Sequence, residues 1–164
     1  MAGSPIVDEL QRVLAIGGVP AVLSFLNKRT PHRFTGIYRY DGAVLRNLAL
    51  CDRSAPDLRR GDDVSMRDAY CALVREARMA DELVFDDAGT DARFAKKGGS
   101  PVVSYCGVLL RDERGEPFGT LCHFDVQRCE APAHDIATLR AAAPILFAFL
   151  RGAGAVEASD PPPV

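Results

Sequence analysis

Two tight polar connections, each flanked by extended apolar runs, do most to restrict what this chain can become. Asp41-Gly42 separates FTGIYRY from AVLRNLALC, and a dipeptide of that kind supplies the positive backbone angles that a two-residue antiparallel turn requires. Glu113-Arg114-Gly115 joins VVSYCGVLLRD to EPFGTLCHFD in the same way. Connections this short exclude parallel pairing, which needs a crossover of about a dozen residues or more, and no GxGxxG stretch marks a dinucleotide-binding turn. The short run ELVFD adds a further strand.

Helical signals surround these strands. Ser4-Pro5 opens a first helix with Ile6, Leu10, Val13 and Leu14 on one stripe, ended by Gly17-Gly18. Val19, Val22, Phe25 and Leu26 make a second stripe that closes at Lys28-Arg29 before Thr30-Pro31. Ser65 and Asp68 have the spacing of a capping-box variant, heading a helix that carries Met66, Ala69, Tyr70, Leu73 and Ala77. Thr90 caps a short helical turn ahead of the Gly-rich KKGGSP, and residues 87–99 read as a pocket wall and lid. Pro132 opens a last helix with Ile136, Leu139, Ala143, Leu146 or Phe147, and Leu150 on one face, and Pro144 predicts a kink or break inside it. DRSAPDLRRGDD reads as a solvated loop whose charges do nothing specific.

One antiparallel sheet with helices on both faces covers every one of these apolar stripes, which makes the fold α+β. Residues 1–151 then form a single domain, and residues 152–164, with no apolar face, form a disordered tail. An apolar share of 48% supplies the core. Lys and Arg number 20 against 22 Asp and Glu, for a net charge of −2, so there is no general attraction to phosphate polymers and no nucleic-acid partner is expected. Five cysteines with no CxxC pair, and an N-terminus without basic and apolar leader segments, point to a reducing cytoplasm. No run of about 18 apolar residues is present, so no membrane span is expected.

Several side chains invite chemistry. Cys122, His123, Cys129 and His134 resemble a metal set in composition, but neighbours on a strand point to opposite faces, so Cys122 and His123 cannot join one cluster. Cys51, Cys71, Cys106 and Cys122 sit in apolar patterns, where a thiol is a small hydrophobe. A thiol nucleophile would need a pairing such as Cys106 with His123, which depends on a register that alternation does not give. His123 interrupts GTLCHF and either meets a ligand or bonds a backbone group, and Tyr105 offers a ring face with a hydroxyl. Asp86, Asp87, Asp91 and Arg93 either orient a polar ligand or are solvated, while Phe94 closes an apolar surface. Gly98 to Pro101 offers turn amides, a weak anion signal.

The stretch SPVVSYCGVLLRDERGEPFGTLCHFD, with Tyr105 and Gly107 as a Tyr-x-Gly strand and Gly119, Thr120 and Leu121 on the next, resembles a GAF domain. The hairpin FTGIYRYDGAVLRNLALC and the segment DAYCALVRE follow that family's course, so the resemblance spans Ile6 to Leu150. It implies a sheet of five or six antiparallel strands, terminal helices that often pair as homodimers, and a pocket between the sheet and the segments around Tyr70 and Phe94. Members bind cyclic nucleotides, bilins, haem, small anions or metabolites and report occupancy to another domain or protein. Free methionine sulfoxide reductases are the enzymatic relatives, but this chain has no cysteine between Phe85 and Ser104 and lacks their Gly-Ala-Cys-Gly pattern. The Asn-Lys-x-Phe-Asp-Glu pattern of cyclic-nucleotide binders is absent too.

The expectation is therefore a sensory module that binds a small molecule and signals to a partner protein. Its ligand-binding residues are expected to be Tyr70, Asp86, Phe94, Tyr105, Cys106, Thr120 and His123. No catalytic residue is assigned, no metal is expected and the cofactor is unknown. The alternatives are a thiol-dependent reductase, using Cys71, Cys106 or Cys122, and a dimerisation scaffold with an exposed helical surface at Leu10, Leu14 or Leu146.

Overall fold

Both hairpins form where their turn residues place them. In the computed structural model, which describes residues 4–94 and 100–153, β1 (Phe34–Asp41) returns as β2 (Val44–Asp52) through Gly42 at φ 61°. Strand β5 (Ser104–Arg111) returns as β6 (Pro117–Asp125) through Gly115 at φ 80°. Two short strands, β3 (Val64–Ser65) and β4 (Glu82–Phe85), complete a six-stranded sheet in the order β3-β2-β1-β6-β5-β4, antiparallel at every pairing. The hairpins meet along β1 and β6, where a Cβ on Gly119 would overlap the Tyr38 carbonyl. Only glycine permits that approach.

Two long helices cover one face. The pair of helices expected up to Lys28 is a single element, α1 (Pro5–Asn27), kinked at Gly18, whose φ of 71° and ψ of −164° break the helical path. Joined in this way it is long and apolar enough to cross a membrane, by length and composition alone. Its Leu10, Val22, Leu23 and Leu26 are nevertheless buried in the core. The last helix, α3 (His134–Gly152), runs through Pro144 without a break. Pro144 lies on the exposed side, as does Arg140, whose carbonyl loses its helical donor there, so the missing bond leaves no polar group in the core. Between these helices and the sheet lies an aliphatic core that includes Leu10, Leu23, Ile37, Val108, Leu121, Leu139 and Leu146. The expected exposed surface at Leu10, Leu14 and Leu146 is thus interior.

The other face carries short pieces. The single helix expected from Ser65 is replaced by a 3-10 turn (Met66–Asp68), the four-residue α2 (Cys71–Val74) and a second 3-10 turn (Ala77–Met79), and Ser65 makes no side-chain cap. Ala69 is extended, at φ −98° and ψ 131°. A segment this short has little helical stability of its own, so burial of Met66, Tyr70, Cys71 and Val74 against the sheet decides its path. A third turn (Ala92–Phe94) brings Phe94 to the same side.

The loop after β2 is less idle than its composition implies. Arg53 donates to the carbonyls of Asn27, Thr30 and His32, which holds the end of α1. Asp63 accepts from Arg46 at 3.1 Å and from the Asn47 amide at 2.8 Å. Residues 95–99 of the expected lid, and the expected tail from residue 154 onward, lie outside the described residues.

Candidate functional site

Strand alternation assigns the side chains. Tyr105 and Leu109 on β5 and Cys122 on β6 join the cluster beneath the short segments, while Cys106, Val108 and Leu110 on β5 and Leu121 on β6 join the cluster beneath α1 and α3. On the first side, a cavity of about 400 Å³ separates the sheet from the stretch around Ser65 to Cys71. Its walls include Tyr38, Tyr70, Tyr105, Phe124, Cys71 and Cys122, with Asp63, Ser65 and Asp68 as polar members.

The Tyr-x-Gly pattern has a direct physical reason. A Cβ at Gly107 would lie 2.5 Å from the Tyr105 hydroxyl, so the bare glycine lets the Tyr105 ring lie along the strand. Its hydroxyl then reaches Cys71 Sγ at 3.2 Å. Thr120 Oγ1 donates to the same sulfur at 3.1 Å, and Tyr40 Oη donates to the Cys71 carbonyl at 2.6 Å. Burial pushes the Tyr38 and Tyr105 hydroxyls well above the ordinary tyrosine range, aided by the neighbouring thiols. Both phenols keep their protons.

Of the residues expected at the site, Tyr70 and Tyr105 line the cavity. Thr120 sits one step behind, through Cys71. Phe94 backs the wall, its ring centroid 5.1 Å from that of Tyr70 and 4.6 Å from that of Phe85. Asp86, Cys106 and His123 are not brought to the cavity. Asp86 follows β4, its carbonyl accepts from the Cys129 amide at 3.2 Å, and its charge acts on His32.

Cys106 and His123 do face each other across β5 and β6, but beneath the long helices and not in the hollow. Burial pushes the Cys106 thiol up to about 12, with Asp135 adding to the effect. It pushes His123 down to about 3, helped by His32 and Arg53. A protonated thiol beside a neutral imidazole is not an activated pair. His123 Nδ1 instead lies 2.7 Å from Thr35 Oγ1, and its ring stacks on His32 with centroids 5.9 Å apart. His32 belongs to the same buried polar cluster, its Nδ1 2.8 Å from Thr30 Oγ1, which donates to Asp135 at 2.7 Å.

Tyr38, Phe124, Asp63, Asp68 and Cys122 were absent from the expected ligand set. A Tyr38 and Tyr40 alternation was visible in FTGIYRY, but nothing in it told which face holds the hollow. Among the described residues, no group of three or more His, Cys, Asp or Glu side chains is arranged to hold a metal ion.

No family model matches the sequence, and no curated protein matches it. Solved structures do match its fold. The GAF domain of a phosphoenolpyruvate-protein phosphotransferase from Acinetobacter aligns with a TM-score of 0.67 at 14% identity, covering 94% of this chain and 98% of that one. Free methionine-R-sulfoxide reductase from Neisseria meningitidis aligns at 0.65 and 15% identity, covering 93% and 96%. The phycocyanobilin-bound GAF domain of a cyanobacterial phytochrome aligns at 0.63 and 10%, covering 96% and 100%. The chain therefore has a GAF-like fold, an architecture shared by binding domains and by an enzyme.

Proposed function

We propose that this chain is a sensory module that binds a small molecule between the sheet and the stretch from Ser65 to Cys71. The cavity carries the reading. About 400 Å³ of space suits a metabolite-sized ligand, and ring walls with a few polar groups at one side are what such sites use. Its described lining holds two carboxylates, Asp68 and an Asp63 already paired with Arg46, and no basic side chain. That balance favours a neutral or cationic planar solute over a phosphate or carboxylate, because a cation gains from the ring faces of Tyr38, Tyr70 and Tyr105 as well as from Asp68.

Signalling needs a ligand that binds one arrangement of the walls better than another. The stretch 87–94 is the candidate mover, since Phe94 packs behind Tyr70 and a change at Tyr70 shifts the surface offered to a partner protein or a second copy. The likeness to GAF domains of sensory proteins supports this output, as does the position of Tyr70 between cavity and surface turn.

A thermal-shift screen tests the reading with organic cations, neutral aromatic compounds and phosphorylated compounds. Stabilisation by one of the first two classes is expected, saturable and rising with concentration as mass action requires, and lost in Tyr38→Ala. Absence of stabilisation by every class, with a crystal structure showing the space closed by side chains, overturns it.

A further inference from the structure

Two cysteines at the cavity are placed for chemistry that ligand binding does not require. Cys71 on α2 and Cys122 on β6 both line it; Thr120, two residues before Cys122 on the same side of β6, reaches the Cys71 sulfur, and the Cys122 thiol donates to the Gly36 carbonyl at 3.8 Å. The Cys71 sulfur receives a hydrogen bond from Thr120 Oγ1 at 3.1 Å and lies 3.2 Å from Tyr105 Oη. Burial keeps the proton on that phenol, so once the thiol loses its own proton the phenol donates to the sulfur. Two hydroxyls aimed at one sulfur stabilise negative charge developing there.

The two thiols are not equivalent. Cys71 keeps 5% of its surface accessible and Cys122 none, so a solute in the cavity meets Cys71 first. Burial opposes ionisation of Cys71, but the neighbouring Cys122, Thr120 and Tyr105 outweigh it and hold the thiol below its ordinary range. Cys122 is raised well above that range by burial and by its Cys71 neighbour. This is the asymmetry of an attacking and a resolving thiol.

We propose that Cys71 and Cys122 form a peroxide-sensitive dithiol in which a small hydroperoxide entering the cavity oxidises Cys71 and Cys122 resolves the product as an intramolecular disulfide. The Cys71 sulfur attacks a peroxide oxygen, the O–O bond breaks, and the departing oxygen takes up the thiol proton as an alcohol or water. That leaves a sulfenic acid on Cys71. The Cys122 sulfur then displaces its hydroxyl, which leaves with the Cys122 proton as water, and the S–S bond forms. Two thiols lose two electrons and two protons, and one peroxide is reduced. The new bond ties α2 to β6 and removes space from the cavity, so oxidation lowers its capacity for a solute.

The test uses the full-length protein, reduced and then exposed to hydrogen peroxide, with intact-mass measurement and peptide mapping. The expected product has lost two hydrogen atoms and yields a linked Cys71–Cys122 peptide. In Cys122→Ser the reaction stops at a sulfenic acid on Cys71 that dimedone traps. Thr120→Val keeps the shape, removes one donor and slows Cys71 oxidation by about tenfold or more, the worth of one hydrogen bond to a charged group. Its melting curve verifies folding. Oxidation confined to the half-buried Cys51 and Cys129, or a Thr120→Val rate equal to the parent's, overturns the proposal. None of these readouts uses a metabolite, so a failed ligand screen and a failed oxidation are separate results.

Discussion

The two faces of the sheet are built differently. Beneath α1 and α3, aliphatic side chains such as Leu23, Leu121, Leu139 and Leu146 interlock and are almost fully buried. Beneath the short segments, rings do the covering, and a hollow of about 400 Å³ is left. A long helix offers a continuous stripe that interlocks with a sheet. A four-residue helix and three single turns bring side chains in small groups, and large rigid rings cannot close every gap between them.

The contrast also inverts what polar side chains do. Asn27, Thr30, His32, Thr35, His123 and Asp135 are buried on the packed face and bonded mainly to one another or to backbone. They pin the end of α1 to the start of α3. On the hollow face, residues that resemble ordinary core, such as Cys71 and Cys122, border the open space. Conspicuous polar residues belong to the scaffold here, and inconspicuous thiols line the cavity.

The strongest way to break this comparison is to truncate the packed face. Leu146→Ala is expected to cost about 2–5 kcal/mol, since a fully buried leucine leaves a void behind. Urea denaturation measures it, and the affinity of any cavity ligand is expected to stay the same in the folded fraction. A loss of affinity as large as the loss of stability would mean that the two faces are not independent.

Acid comes next. His123 titrates near 6.5 when unfolded and near 3 when folded, so between those values the unfolded chain binds the extra proton and stability declines as pH falls. His32 acts in the same direction, because burial outweighs the pull of Asp135, Asp125 and Asp86, and Arg53 adds to it. The melting temperature is expected to drop from about pH 6.5 downward, and His123→Gln to flatten that drop. A variant curve parallel to the parent's would remove His123 from the account.

Gly107→Ala probes the hollow face. Its new methyl collides with the Tyr105 ring, and overpacking of this sort costs about 1–3 kcal/mol. Displacing the ring also takes a donor from Cys71, so slower alkylation of that thiol should accompany a lower melting temperature. The smallest effect on stability is expected from Asp68→Asn at the cavity, within about 0.5 kcal/mol. Its effect on selectivity is larger, with weaker binding of cations and none of neutral compounds lost, as calorimetry would show. Equal loss for both classes would count against charge as the selecting feature.

Much of the architecture was legible because its signals are local. Asp41-Gly42 and Glu113-Arg114-Gly115 dictate backbone angles over a few residues, and period-two and helical stripes report which elements have a buried side. The cavity lining was legible in part. Tyr70 and Tyr105 line it, while Asp86, Cys106 and His123 lie away from it, because polarity inside an apolar run reads the same whether the partner is a ligand or Thr35. Asp63 was hidden by a loop whose charges looked solvated, although its carboxylate is held by Arg46 and the Asn47 amide.

What this chain's sequence determined alone is its set of turns, its strand pairings within each hairpin and the existence of apolar stripes, since these follow from forces between near neighbours. Only tertiary structure decided that β1 meets β6, that α1 and α3 share a face, and that Cys71 comes to rest between Thr120 and Tyr105. Those contacts join residues dozens of positions apart. Their energies depend on shape and burial that no short window of sequence contains.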